Sequence, residues 1–151
     1  MEPRKLEVDD GPWLRAKAQI YAATMYPEFI PDIEKLHWLV RDCTYSPEKH
    51  YCRVVGPEGE PQAALLTRTS NNLWAMKQHA SVLFWYSEIP GAGAMLLRGF
   101  RDWVKEQSQI VVAGFNADFI GATGPLRVAE RIGFKRRGEG SYVFYPRGEK
   151  K

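Results

Sequence analysis

The stretch SVLFWYSEIPGAGAMLLRGF, residues 81–100, decides the fold. Ser81 to Trp85 form an apolar run suited to a buried strand, and beyond Gly93 the residues Leu96, Phe100, Trp103 and Val104 recur at helical spacing. Between them lie Gly91, Ala92, Gly93 and Ala94. Small residues at a strand-to-helix turn let another molecule approach the backbone amides, and the partial positive charge of a helix N-terminus attracts an anion. The same glycines also serve a tight turn and close helix packing. On the turn alone the two readings are level.

Two other phosphate-binding turns do not fit. A nucleotide P-loop needs GxxxxGK followed by Ser or Thr, and no such pair follows Gly93. The dinucleotide fingerprint GxGxxG wants a small residue where Leu96 stands, and it opens an early βαβ unit. The segments before Ser81 predict an antiparallel meander instead: Tyr51–Val55 and Gln62–Thr69 are strands around the turn GPEGEP, Ser70–Asn72 is a second turn, and Ser81–Ser87 is the buried strand. LWAMKQHA, residues 73–80, fits a strand or a short helix.

Toward the N-terminus, Lys5 to Val8 predict a short first strand. A helix follows over residues 9–25, with Asp10 as N-cap, Pro12 in the first turn and Leu14, Ala18, Tyr21 and Met25 on one face. A second helix begins near Pro31, with Asp32 and Glu34 in its first turn and Ile33, Leu36, His37 and Val40 on its apolar face. His37 is there a core or boundary residue. Toward the C-terminus, the helix from Gly93 ends near Gln107, and Gln109 to Phe115 form a strand covered on both faces. Pro125 to Ile132 form a helix stopped by Gly133, and FKRR and YVFY around GEGS form a hairpin. The order is strand, two helices, three antiparallel strands, helix, strand, helix, hairpin.

The whole chain, residues 1–151, reads as one domain with a frayed tail from 147 to 151. A net charge of +3 and one basic cluster, Lys135 to Arg137, argue for a solvated strand end rather than nucleic-acid binding. Cys43 and Cys52 lack CxxC spacing and a clustered histidine, so neither a metal site nor a disulfide framework is expected. MEPRKLEVDD lacks the apolar core of a signal peptide, and no apolar run approaches the roughly 18 residues of a membrane span. A cytoplasmic protein without membrane contact is the expectation.

With that order of elements, Glu88–Ile89–Pro90–Gly91–Ala92–Gly93 resembles the pyrophosphate loop Q/R-x-x-G-x-G/A of the GNAT superfamily of N-acetyltransferases. LRVAERIGF, ending in Gly133 and Phe134, is similar to the family's later helix. The resemblance implies an α/β (α+β) fold with a mixed, mostly antiparallel sheet of about six to seven strands and about four helices. It implies acetyl-coenzyme A as co-substrate, an amine of a small molecule or protein as acceptor, and splaying of the fourth and fifth strands. Such chains also occur in tailed-phage genomes, which makes a phage-encoded member one expectation. Homodimer and larger assembly are both open.

By the same resemblance, the amides of Gly91, Ala92, Gly93, Ala94 and Met95 grip the diphosphate. The backbone of Trp85, Tyr86 and Ser87 pairs with the pantetheine arm, and Asn116 adds a polar contact or makes an Asx-turn. Acetyl transfer needs a base for the amine, a donor for the carbonyl oxygen and an acid for the thiolate. Glu28 and His79, the latter placed before the fourth strand, are candidates for the base; Tyr142 and Tyr145 are candidates for the acid, each also explicable as a packing or surface residue. Met25 to Pro31 lie where the family binds its acceptor, or else staple two helices. Two departures stand out: Glu88 where the family prefers Gln or Arg, and Ala129 where it often has a tyrosine acid. They support a rival reading, a non-catalytic binding or structural protein, for example a phage assembly component.

Overall fold

The structure, a computed structural model, describes residues 2–25, 28, 32–71, 77–116 and 124–148. Strand β1 is Arg4–Lys5, followed by a 3-10 turn at Val8–Asp10, helix α1 at Gly11–Met25 and helix α2 at Ile33–Tyr45. Then come β2 (Cys52–Val55), β3 (Ala63–Asn71), β4 (Gln78–Ser87), α3 (Ala92–Glu106), β5 (Ile110–Asn116), α4 (Gly124–Arg131), β6 (Lys135–Arg137) and β7 (Ser141–Phe144). The seven strands form one sheet in the order β1-β2-β3-β4-β5-β7-β6. Every neighbouring pair is antiparallel except β4 and β5, which run parallel across the α3 connection. A mixed, mostly antiparallel sheet with four helices is the architecture the family resemblance implies.

The sheet is covered on both faces. Along β3, Ala63 and Leu65 join the core beneath α3 and α4, while Ala64 and Leu66 join the core beneath α1 and α2. All four are fully buried, which is why β3 carries no polar alternation there. Leu96, Leu97, Phe100 and Val104 form the buried stripe of α3, each side chain contributing about 1.5–3 kcal/mol by leaving water. Leu14 and Ala18 of α1 and Val40 and Cys43 of α2 seal the other face. α4 ends before Gly133, whose φ of 108° suits glycine in the terminating position.

Several local expectations change. The first strand stops at Lys5 because Val8 to Asp10 wind into the 3-10 turn. Asp10 does not cap α1; its carboxylate is buried and accepts from the Glu7 amide. Ser70 and Asn71 continue β3 instead of turning, since they pair with His79 and Gln78. The ladder overrides their turn preference. His79 is therefore within β4, not before it. His37 is exposed and lines a cleft between α1 and α2, and the side chains of Met25 and Ile33 lie outside the described residues. Cys43 and Cys52 are free buried thiols in contact; hydrogen bonding with Cys52 and then burial push the Cys43 thiol up, so it stays protonated. Lys135 to Arg137 are an exposed edge strand, where charge protects against edge pairing. No helix among the described residues is long and apolar enough to cross a membrane.

One close approach fixes α3 against the sheet. Tyr51 packs on Phe100 and Trp103, and its hydroxyl lies against Gly99, where any Cβ would overlap it. Burial pushes the Tyr51 phenol up to about 12. Gly99→Ala is expected to destabilise by about 1–3 kcal/mol through overpacking, read from urea unfolding. In a Tyr51→Phe background most of that loss disappears; equal losses in both backgrounds would refute the contact as its cause.

Candidate functional site

The parallel pair β4 and β5 stays together only briefly. Gln78 to Ser81 pair with Ile110 to Gly114, after which β5 continues along β7 and β4 along β3. Beyond Ser81, no strand among the described residues pairs with the β5-facing edge of β4, which includes Trp85, Tyr86 and Ser87. Such an edge presents backbone donors and acceptors to an extended ligand. The gap between the strands is a groove of about 360 Å³ whose walls include Ser81, Leu83, Gly114, Asn116 and Tyr142.

A bulge in β4 shapes this groove. Leu66 faces Phe84 and Thr67 faces Val82, so Leu83 is left over and points out, 39% exposed. Gly114 keeps the far wall close. A Cβ there would stand 2.7 Å from the Tyr142 carbonyl oxygen, so only glycine lets β5 lie this near β7.

Past the groove β4 leads into the turn before α3, where the two glycines do different jobs. Gly91 adopts φ 82° at the N-cap, and a Cβ added there would meet nothing within 4 Å, so the space before the helix is open. The first helical bond closes from the Met95 amide to the Gly91 carbonyl at 3.1 Å. The amides of Ala92, Gly93 and Ala94 precede it and have no intrahelical acceptor. Gly93 instead makes room behind the helix: the Trp85 indole N–H donates to its carbonyl at 3.1 Å, and a Cβ would lie 3.2 Å from that nitrogen. Trp85 also meets Phe115 edge to face at 5.6 Å, so the indole buttresses the turn from the sheet side. Ser87 Oγ donates to the Ile89 carbonyl at 2.6 Å and accepts from the Ile89 amide at 3.3 Å, fixing the approach to the turn.

Glu88 is drawn to Lys17 of α1. The Lys17 ammonium lies 2.9 Å from its carboxylate, and the Tyr86 hydroxyl donates to the same oxygen at 3.1 Å. The Lys17 hydrogen bond is the main reason that the Glu88 carboxyl is held below its usual range. Its negative charge is thus matched by a local cation, which reduces the repulsion an incoming anion would feel. Lys17 also rests over the rings of Trp13 and Tyr86.

Between α2 and the strands β3 and β4 lies a second groove of about 520 Å³. Its walls include Lys35, Trp38, Lys49, Arg68, Thr69 and Leu83. Leu83 therefore belongs to both grooves, and the bulge joins them. At the base of the second groove His50 is fixed in one tautomer: Nδ1 accepts from the Thr69 amide at 3.0 Å, which leaves Nε2 to donate to Asp42 at 2.9 Å. With both nitrogens used, His50 is a strut rather than a base. Sequence reading missed it because its partners come from α2 and β3.

The proton-transfer candidates are dispersed. Tyr142 is buried, stacks on Phe115 at 5.3 Å, points its hydroxyl at Glu130 Oε1 3.5 Å away, and is the candidate that lines the splay. Tyr145 accepts a hydrogen bond from Arg137 at the hairpin and lines neither groove. His79 is half-buried within β4, paired with Ser70 and Val112, and lines neither groove. Glu28 is exposed in a turn whose flanking residues lie outside the described ones. Ala129 is fully buried, with its carbonyl accepting from the Phe134 amide. Asn116 ends β5 opposite Ser141 on the groove wall. Among the described residues no group of His, Cys, Asp and Glu is arranged to hold a metal ion.

No family model matches the sequence, and no curated protein matches it. Solved structures do match in fold. A ribosomal-protein-alanine N-acetyltransferase from Brucella melitensis superposes with a TM-score of 0.69 at 17% identity, covering 96% of this chain and 99% of that one. The NatC complex bound to Gag peptide and coenzyme A gives 0.66 at 13%, over 96% and 99%. An aminoglycoside 6'-acetyltransferase type Ii gives 0.61 at 10%, over 99% and 100%. The chain has the GNAT-like α/β fold over nearly its full length.

Proposed function

We propose that the chain is a GNAT-superfamily N-acetyltransferase that uses acetyl-coenzyme A. One observation carries the reading: the β4 edge at Trp85 to Ser87, unpaired among the described residues, runs into the open, left-handed Gly91 and the start of α3. An extended amide-bearing arm fits the first and a diphosphate fits the second. The residues that would hold the coenzyme are the backbone of Trp85, Tyr86 and Ser87, the amides from Gly91 to Met95, and Asn116. The bound thioester supplies the acetyl group: the acceptor nitrogen bonds to the acetyl carbon, the carbon–sulfur bond breaks, and the proton shed by nitrogen ends on sulfur.

The chain's own part is orientation and proton handling. The bulge at Leu83 opens the sheet where the two grooves meet, which lets an amine on the α2 side reach a group held in the splay. Tyr142 is taken as the acid, since it lines that splay, with Tyr145 the alternative acid; Glu28 and His79 remain the proposals for the base. Calorimetric titration with acetyl-coenzyme A is expected to give micromolar binding, and an absence of binding overturns the reading. In a thiol-release assay Tyr142→Phe, which keeps the stacking on Phe115, lowers kcat at least ten-fold. An unchanged rate removes Tyr142 as the acid.

The buried Ala129 supports a second reading, a protein that keeps the fold without turnover. Coenzyme binding with no thiol release from any amine would select it.

A further inference from the structure

The groove on the α2 face limits what the acceptor can be. Three of its wall residues, Lys35, Lys49 and Arg68, form no ion pair with a carboxylate among the described residues. The acidic residue on that wall, Asp42, already accepts from His50. A fourth cation, Arg41, lies over the Trp38 ring at 5.2 Å. Three cations against the one carboxylate of Asp42 leave the groove net positive, a field that disfavours polycations and attracts carboxylates. It also has an apolar side, with Trp38 61% and Leu83 39% exposed. At its base Thr69 Oγ1 is buried with no hydrogen-bond partner, a hydroxyl that lacks an acceptor. A groove of about 520 Å³ holds a small molecule, not a folded protein surface.

Resting on the acetyltransferase reading, we infer that the acceptor is a small primary amine that also carries a carboxylate and an apolar body, the chemistry of a free aromatic or aliphatic amino acid. Arg68, Lys49 and Lys35 receive the carboxylate, while Trp38 and Leu83 cover the apolar part. The amine then lies toward the bulge that joins the two grooves. The cationic wall has a chemical consequence as well. Nearby positive charge disfavours ammonium and raises the fraction of neutral amine, the form that attacks, so less is asked of a general base. Polyamines and aminoglycosides, which carry several positive charges and no carboxylate, are disfavoured by the same field.

The test is a nitrogen-15 NMR titration of the full chain, with and without coenzyme A, using phenylalanine, phenethylamine and spermidine as probes. Phenylalanine is expected to shift the amides of Arg68, Thr69 and Leu83 with a Kd at least ten-fold below that of phenethylamine, and spermidine to leave them unmoved. In Arg68→Glu, checked for an intact spectrum, the order of phenylalanine and phenethylamine reverses. Equal or tighter binding of phenethylamine, shifts with spermidine, or no shift at these amides in either state overturns the inference. The titration without coenzyme separates the two proposals. Amino-acid binding in a chain that ignores acetyl-coenzyme A sinks the acetyltransferase reading alone, and coenzyme binding with a silent groove sinks the acceptor alone.

Discussion

Replacing Gly91 by glutamate is expected to weaken acetyl-coenzyme A binding at least a hundred-fold, about 2.7 kcal/mol, in calorimetric titration. The effect does not come from a blocked backbone. A Cβ at Gly91 meets no atom within 4 Å, so the new side chain projects into the open space ahead of α3. That is the space in which the amides of the first turn would meet a diphosphate. A carboxylate there takes those amides for itself and adds a negative charge beside the anion it displaces. Glu88 is not a precedent for tolerance, because its charge is compensated by Lys17.

Two controls separate charge from strain. Gly91→Ala introduces a Cβ at φ 82°, a cost of about 1–2 kcal/mol to the fold, with no charge. Its coenzyme affinity should stay within about five-fold of the parent chain, since the amides remain open. Gly91→Asn, which tolerates the left-handed region, should lie between them. If glutamate, alanine and the parent chain bind alike, the start of α3 is not the anion site, and the argument for acetyl-coenzyme A fails with it.

The order of elements was readable because each is signalled locally: apolar stripes at helical spacing, turn residues between strands, a glycine after the last helix. What the sequence hid was every feature that needs two elements to exist. The four residues Val82 to Trp85 are all apolar, so nothing in them marks Leu83 as the bulge; only pairing with Leu66 and Thr67 does. Glu88 read as an isolated departure because its partner, Lys17, is on a helix far away in sequence. Gly91 and Gly93 read as a pair, yet one holds an unusual backbone angle and the other admits the Trp85 indole. His50 carried no signal, since its two fixed hydrogen bonds reach α2 and β3. Asp10 came closest: a cap was the right kind of role, but its donors are not those of α1.

That role makes Asp10→Ala the most damaging single change expected in the fold, a loss of about 3–5 kcal/mol. The carboxylate is fully buried. It accepts from Arg4 Nη1 at 2.7 Å and Nη2 at 2.9 Å, from the Glu7 amide at 2.8 Å and from the Gly59 amide at 3.0 Å. Arg4 in turn donates through Nε to the Gly56 carbonyl at 2.9 Å, so one carboxylate ties the edge strand β1 and the 3-10 turn to the loop between β2 and β3. Alanine leaves a guanidinium and two amides without their acceptor. Asparagine fills the space but turns donors toward donors, and should recover less than half of the loss. Burial by itself would raise the Asp10 carboxyl, but the Arg4 hydrogen bonds and the two amides outweigh it and hold it below its ordinary value. Because the folded value is the depressed one, this stabilisation is full above the unfolded carboxyl value of about 3.9 and is lost as pH falls through the folded value. Urea unfolding should therefore show the gap between the parent chain and Asp10→Ala wide at pH 7 and narrowing below pH 4. A gap that keeps its width in acid would mean that the lost energy is packing, not charge, and that the carboxylate does not clamp the N-terminus.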